Sequence, residues 1–250
     1  MLERQERRLV CPNGHSFDLA RSGYANLLQP QERRSKQPGD SAEAVAARRR
    51  VHERGVSRPL LEVMTAMLAP VPEDVILDAG CGDGWFLGEL QHAQGFTAYG
   101  IDISTPAIEL AAKRYPGCTW IVANADRFVP LGDGAVMKLV SITARMNVSE
   151  FRRVLRDDGT LLVAVAAPDD LIELRGAGKD RLAATHEWFA PAFELVEHRR
   201  VTTVADVDAA IVRDLRLSIY RPRGEVNLTR VTLSLDLLRF AAHPRARSEP

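Results

Sequence analysis

The stretch VILDAGCGDGWF, residues 75–86, constrains the fold more than any other part of the sequence. Its first five residues are apolar except for Asp78 and predict a buried strand. Gly80, Gly82 and Gly84 follow where the next helix should begin. Glycines in such a turn allow positive φ angles and let the backbone approach a ligand closely. A strand, a glycine-rich turn and a helix in this order indicate a parallel sheet that binds a nucleoside at its carboxyl edge.

Strands and helices alternate along the rest of the chain. The apolar patterns predict strands at 97–102, 119–123, 136–142 and 160–167, and helices at 84–92, 105–114 and 147–155. This alternation predicts the α/β class with a doubly wound sheet. Residues 168–220 are less regular. The alternating segment 231–240 predicts a late antiparallel strand, either at an edge of the sheet or in a hairpin.

The region before the first buried strand has a different character. Residues 1–40 are rich in turns, and we predict helices at 41–55, with Ser41 as the N-cap, and at 59–69. Residues 1–58 carry twelve Arg or Lys and seven Asp or Glu, although the whole chain balances 33 basic against 33 acidic residues. This local excess predicts a lobe that contacts phosphate, and a solvated arginine-rich helix face explains it equally well.

Length and cysteine content limit the class of protein. The 250 residues, 46% of them hydrophobic, suffice for one large α/β domain and a small appendage. Three cysteines, no signal peptide and no apolar run long enough to cross a bilayer predict a cytoplasmic protein without a membrane partner.

Polar residues at the predicted strand ends suit an adenosine cofactor. Asp78 precedes the glycines and can hold an amino group, and Asp102 ends the second strand, where it can accept hydrogen bonds from both ribose hydroxyls. Asn124 and Asp126 follow the third strand, where either can meet an adenine edge. Trp85 begins the next helix and is expected near the methionine end of the cofactor or in the core. The G-x-G-x-x-G spacing of dinucleotide sites is absent.

This constellation resembles the class I S-adenosylmethionine-dependent methyltransferases. The resemblance implies a Rossmann-like fold with an antiparallel last strand, and S-adenosyl-L-methionine as the cofactor. Ile103 and Ala125, beside the residues named above, belong to the predicted cofactor site. A similar fold that binds NAD or no cofactor is the alternative.

A longer set of residues near the N-terminus indicates which group of methyltransferases the sequence resembles. The sequence resembles the bacterial 23S rRNA (guanine-N1-)methyltransferases, which methylate a guanine in a hairpin loop and include tylosin-type macrolide-resistance enzymes. The first matching element consists of Cys11, His15, Ser16, Phe17, Asp18, Ala20, Arg21, Gly23, Tyr24, Asn26, Leu27 and Leu28. The second consists of Ser35, Lys36, Pro38, Gly39 and Asp40. The segments GIDIS, AAKRYP and FRRVLRDDGTLLV also fit the family.

The resemblance also implies a zinc knuckle, of which the sequence provides one half. Cys11 and His15 match two ligands, but the C-x2-C pair that the family places upstream is not in this sequence. Cys81 and Cys118 lie in the glycine turn and the sheet. A structural zinc site needs four ligands, so we expect zinc not to be fully coordinated.

Other positions also depart from the family. Ser57 stands where the family tends to have a tyrosine beside the cofactor, and Asp170 replaces a typical histidine. Methylation at guanine N1 requires loss of a proton, and Asp169 or Asp170 can accept it. Asp170 is the preferred base, and capping of the following helix is its alternative role. Arg145 and Asn147 follow the fourth strand and are the other predicted catalytic residues.

The sequence thus predicts three regions: a truncated zinc-ribbon-like lobe at 1–34, linking helices at 35–69 and a methyltransferase domain at 70–250. Its predicted activity is N1-methylation of a guanine in a 23S rRNA hairpin, with homodimerisation as one option. A methyltransferase that modifies a small molecule in natural-product tailoring is the main alternative. A cofactor-binding protein without catalytic activity is a third interpretation.

Overall fold

The computed structural model describes residues 3–5, 7–10, 14, 16–28, 38–219, 222 and 227–245. The strands are β1 (Glu3–Gln5), β2 (Arg8–Val10), β3 (Ser16–Asp18), β4 (Ala25–Asn26), β5 (Val75–Ala79), β6 (Thr97–Asp102), β7 (Thr119–Val122), β8 (Val136–Ile142), β9 (Leu155–Ala166), β10 (Phe193–Asp206) and β11 (Arg230–Ala242). The helices are α1 (Ala42–Glu53), α2 (Arg58–Leu68), α3 (Trp85–Gln94), α4 (Thr105–Arg114), α5 (Val148–Val154), α6 (Ile172–Arg175), α7 (Leu182–Phe189) and α8 (Ala209–Ser218).

Within the described residues, eight strands form one sheet in the order β10-β11-β9-β8-β5-β6-β7-β4. Strands β4 to β9 of this sheet pair in parallel, whereas β11 is antiparallel to both β9 and β10. The predicted doubly wound sheet with a late antiparallel strand is therefore confirmed. Chain order reverses on either side of β5, and parallel sheets of this type bind ligands at such a crevice.

Helices and strands before residue 168 follow the sequence pattern closely. β5, β6, β8 and α4 have the predicted bounds, because apolar runs and capping residues define them locally. The side chains of Ser41 and Ser104 accept hydrogen bonds from Ala44 N and Ala107 N and so cap α1 and α4. β9 begins at Leu155, five residues earlier than predicted, because it continues directly from α5.

The C-terminal third adds one strand that was not predicted and corrects the place of another. The segment 168–220 contains β10, a strand of 14 residues, and three helices. Charged residues fill many positions of β10 because it lies at the edge of the sheet, so its apolar alternation is weak. Segment 231–240 lies in β11, which is an interior strand between β9 and β10 rather than an edge strand.

The sheet is covered on both faces. Leu162 and Ala164 of β9 pack into a core with α2 and α3, whereas Leu161 and Val163 pack on the opposite face with Phe189. A strand that is buried on both faces reads as a continuous apolar run, as β9 does. No helix in the described part of the chain is long and apolar enough to span a membrane.

The N-terminal region reaches the main domain at two places. β1, β2 and β3 form a small antiparallel sheet, whereas β4 joins the edge of the main sheet beside β7. Helix α1 packs on α8, where Arg50 forms a two-pronged ion pair with Asp214. Arg54 pairs with Asp208, the N-cap of α8. These contacts hold α1 near the carboxyl edge of the sheet.

Candidate functional site

The glycine turn between β5 and α3 forms the floor of the site. Gly80 and Gly82 have φ angles of 88° and 55°, which favour glycine. A Cβ at Gly80 would collide with Ala144, in the loop after β8. Around Gly82 there is more space, because the nearest atom to a Cβ would be Arg48 Nη1 at 3.7 Å. The turn is therefore tight against one loop at Gly80, whereas a Cβ at Gly82 would make only an ordinary contact with Arg48.

Asp78 lies just before this turn and is buried. Its Oδ1 has no hydrogen-bond partner among the described residues. Burial, and then the nearby carboxylates of Asp102 and Asp83, raise the pKa of Asp78 to about 8. An unpaired carboxyl group inside a protein is costly unless a ligand or a proton compensates it. Asp78 is therefore suited to meet a cationic group of a ligand.

Asp102 at the end of β6 faces the same turn. It accepts hydrogen bonds from Gly82 N at 2.9 Å and from Ser104 N at 2.8 Å. Burial raises the pKa of Asp102, and these two N–H groups oppose the rise. Each carboxylate oxygen has further lone pairs available for ribose hydroxyls. The adjacent Ile103 packs against the core.

The loop after β7 holds the residues predicted to meet adenine. Asn124 Oδ1 accepts a hydrogen bond from Asp126 N at 3.2 Å, which fixes the turn. Ala125 is half-buried and packs against the core. Asp126 forms a 3.5 Å ion pair with Arg145, whose side chain is 82% exposed. Arg145 therefore lies at the loop after β7, the predicted adenine loop, and is accessible to solvent.

Asn147 connects this loop with α5. Its Oδ1 accepts a hydrogen bond from Glu150 N and caps the helix, and its Nδ2 donates to Asp126 O at 2.7 Å. The structure brings Asp126, Arg145 and Asn147 together at one end of the sheet. Asn147 uses its side chain to hold the two loops in place, and its catalytic role stays a prediction.

A groove of about 600 Å³ opens beside this loop pair. Its lining includes Asp126, Asn147 and Trp188, with apolar walls from Met146 and Pro191. Trp188 is 55% exposed, which is unusual for a large apolar side chain. An exposed indole beside polar groups is suited to stack an unpaired base.

Asp170 follows the end of β9 and is buried against β11. Its Oδ1 accepts from Ser234 N at 3.0 Å, and its Oδ2 accepts from Arg175 at 3.3 Å. Burial raises the pKa of Asp170, although these two donors oppose the rise. The helix-cap interpretation is wrong, because α6 has Leu171 at its N-cap and no side-chain cap.

Asp169 differs from its neighbour. Its Oδ1 is shielded from solvent and has no hydrogen-bond partner among the described residues. It follows the carboxyl end of β9, two strands away from β5, which ends in the glycine turn. Of the two adjacent carboxylates, only Asp169 has an oxygen without a hydrogen-bond donor among the described residues.

Ser57 and Trp85 lie on the α1 side of the glycine turn. Ser57 Oγ is 2.8 Å from His52 Nδ1, and the His52 ring stacks on Trp85 at 4.6 Å between centroids. Trp85 is buried. Burial lowers the pKa of His52 to about 3, so this histidine is neutral. Roles for Ser57 and Trp85 in cofactor binding stay predictions.

Sequence reasoning missed how α1 contacts the glycine turn. Arg49 is buried, lies 2.8 Å from Asp83 Oδ2 and donates to Asp83 O at 2.6 Å. It also donates to Tyr115 Oη at 3.0 Å. The sequence could have indicated this contact, because Arg49 lies four residues after Val45 and three before His52. This spacing places Arg49 on the buried face of α1. An arginine on a buried helix face needs an acidic partner.

No group of three or more metal-binding side chains occurs in the part of the chain that the structure describes. Cys11 and His15, the predicted half of a zinc site, lie outside the described residues, as do Ser35 and Lys36.

Comparison with known proteins identifies two families. The RlmA N-terminal zinc-ribbon model matches residues 1–36, and a methyltransferase-domain model matches residues 76–159. A solved Haloferax volcanii methyltransferase, in complex with the Trm112 activator, has a TM-score of 0.57 at 19% identity. That match covers 83% of this chain and 99% of the other, and it supports the fold.

Curated relatives are closer in sequence. The 23S rRNA (guanine(748)-N(1))-methyltransferase of Streptomyces fradiae is 36% identical in an alignment of 225 positions that covers 83% of this chain and 77% of the relative. A 23S rRNA (guanine-N(1)-)-methyltransferase assigned in Micromonospora griseorubida is 39% identical over 67% of this chain and 62% of the relative. With these similarities and the fold and glycine turn described above, the chain is an S-adenosylmethionine-dependent methyltransferase that belongs to the 23S rRNA (guanine-N1-)methyltransferase family.

Proposed function

We propose that this protein transfers a methyl group from S-adenosylmethionine to N1 of a guanine in a 23S rRNA hairpin. The observation that carries the proposal is the 36% identity, over 83% of the chain, to an enzyme named for this reaction. The glycine turn with Asp78 and Asp102 supports the cofactor part of the proposal.

The residues around the turn fit the cofactor. Asp78 has a buried oxygen without a partner and suits the ammonium group, and Asp102 suits the ribose hydroxyls. Asn124 and Asp126 supply polar groups for adenine. The bound cofactor supplies a methyl group on a positively charged sulfur. When the cofactor is bound at this edge, the loops after β8 and β9 position the reacting methyl group.

The reaction requires a group in the protein that accepts the proton of guanine N1. As the N1–methyl bond forms and the sulfur–methyl bond breaks, guanine N1 loses its proton. The proposed acceptor is Asp169 Oδ1, which lies at the end of β9 without a hydrogen-bond donor among the described residues. Asp170, with both oxygens engaged, then serves to hold this loop against β11.

The RNA is proposed to lie across the groove beside the adenine loop. Trp188 offers an exposed face for an unpaired base, and Arg145 offers an exposed cation for phosphate. The basic lobe at residues 1–34 and the helices at 35–69 are proposed to bind the hairpin. We assign no complete zinc centre to Cys11 and His15, because a structural zinc site takes four ligands.

Binding of S-adenosylhomocysteine, the demethylated product of the cofactor, should release about one proton near neutral pH. Asp78 has a pKa of about 8 in the ligand-free protein and is mostly protonated below that pH. An ammonium group bound beside it favours the ionised form, so affinity should rise between about pH 6 and pH 8. Calorimetry in two buffers of different ionisation enthalpy measures the proton count.

Asp78→Asn is the matched control, because it keeps the size of the side chain and removes its titration. It should abolish the buffer dependence. It should also stabilise the ligand-free protein: the raised pKa of Asp78 means that stability is lost as pH rises towards about 8, and asparagine has no such loss. Equal binding enthalpies in both buffers for the unmodified protein would refute the assignment of Asp78.

Methylation at guanine N1 should appear as a stop in primer extension, because the methyl group blocks Watson–Crick pairing. Unmodified 23S rRNA incubated with the protein and S-adenosylmethionine should give a stop at one hairpin guanine. Reactions with S-adenosylhomocysteine in place of S-adenosylmethionine are the control and should give none. Absence of the stop, with labelled methyl transferred to a small metabolite, would contradict the rRNA proposal and favour the tailoring reaction.

A further inference from the structure

Arg48 of α1 reaches the glycine turn beside Gly82. Its Nη1 lies 2.7 Å from Asp40 Oδ2, and its Nη2 donates to Ser218 O at 3.1 Å. The same Nη1 is 3.7 Å from the position that a Cβ on Gly82 would occupy. Arg48 is therefore a cation that lies directly beside Gly82 of the glycine turn.

Electrostatic effects agree with this position. Burial raises the pKa of both Asp83 and Asp102, and the positive charge of Arg48 opposes the rise at each of them. Asp40, the partner of Arg48, also packs here, because its carbonyl accepts a hydrogen bond from Ser104 Oγ at 2.8 Å. Arg48 and Asp40 together line the border between α1 and the cofactor residues.

The chemistry of the cofactor leaves one group without a partner. Its ribose, adenine and ammonium groups are assigned above, but its carboxylate needs donors or a cation. Arg49 is already engaged by Asp83 and Tyr115, and Arg145 lies at the adenine loop. Arg48 has five N–H donors, of which the two contacts named above use only a part.

We propose that Arg48 binds the carboxylate of the amino-acid portion of S-adenosylmethionine and makes the site select ligands that retain this group. The inference rests on the cofactor part of the proposed function. In this proposal α1, which precedes the glycine turn in the sequence, contacts the cofactor directly.

A double-mutant cycle on protein and ligand tests the proposal. Calorimetry compares S-adenosylhomocysteine with its decarboxylated analogue, which keeps the adenosine and the amine. The unmodified protein should prefer the intact ligand by about tenfold, as loss of one charge-assisted contact predicts. Arg48→Ala should lower affinity for S-adenosylhomocysteine by about tenfold, leave affinity for the analogue unchanged and so remove the preference.

Arg50→Ala is the matched control. It removes the same charge from the same helix, but Arg50 pairs with Asp214 on α8, so the preference should persist. Equal weakening of both ligands by Arg48→Ala would overturn the proposal and make Arg48 a support for the turn, and no effect on either ligand would also overturn it. If the unmodified protein binds neither ligand, the cofactor proposal fails as well, whereas binding of both without preference overturns the carboxylate assignment alone.

Discussion

Replacing Asp169 by asparagine is expected to slow methyl transfer about 100-fold, the lower range for loss of a general base. Asparagine keeps the shape of the side chain but accepts no proton. Because Asp169 Oδ1 has no hydrogen-bond donor among the described residues, thermal stability should not fall and affinity for S-adenosylhomocysteine should stay unchanged. Single-turnover rates on 23S rRNA, measured beside a thermal unfolding curve, separate these effects.

Asp170→Asn should give the opposite pattern. Asp170 accepts from Ser234 N and Arg175, and an amide group cannot accept at both positions. We expect a loss of about 1–3 kcal/mol in the free energy of unfolding, from a buried donor left without its acceptor. The rate, measured where the variant is folded, should fall far less than for Asp169→Asn. A slower Asp170→Asn and an active Asp169→Asn would reverse the assignment.

Replacing Asp102 by alanine is expected to weaken S-adenosylhomocysteine binding by about 1–3 kcal/mol, through loss of charge-assisted hydrogen bonds to the ribose. The change also removes the acceptor for Gly82 N and Ser104 N, so the glycine turn should lose order and thermal stability should fall. Calorimetry gives the first effect and an unfolding curve gives the second.

Asp102→Asn separates the two effects, because it keeps one oxygen for the backbone donors and removes the charge. It should retain more stability than alanine while still binding the ligand weakly. Each variant can be checked for fold by far-UV circular dichroism. Unchanged affinity in both variants would exclude Asp102 from the cofactor site.

Local sequence was sufficient for the parts of the fold that are set by adjacent residues. The strands β5, β6 and β8 and the helix α4 were predicted with the correct bounds. Continuous apolar runs mark the three buried strands, and a capping serine marks the start of α4. β10 was missed, since an edge strand is exposed on one side and tolerates charges at alternate positions. Its neighbour β11 was assigned the right antiparallel direction, and of the two placements considered the edge of the sheet was wrong, because β11 lies between β9 and β10.

Some residues of the candidate site could likewise be predicted from local sequence, and others could not. Asp78 and Asp102 could be predicted from the ends of two strands, because parallel strands place their carboxyl ends at one edge. The difference between Asp169 and Asp170 could not, because it depends on which carboxylate meets Ser234 on a strand 64 residues later.

The sequence by itself determined that this chain has a parallel sheet, a glycine turn after β5 and a family signature at its N-terminus. Only the tertiary structure decided that α1 lies against that turn, with Arg49 on Asp83 and Arg48 beside Gly82. The reason is physical: strand and turn preferences act between neighbours in the chain, whereas ion pairs across 34 residues exist only once α1 packs on α8 and both reach the carboxyl edge of the sheet.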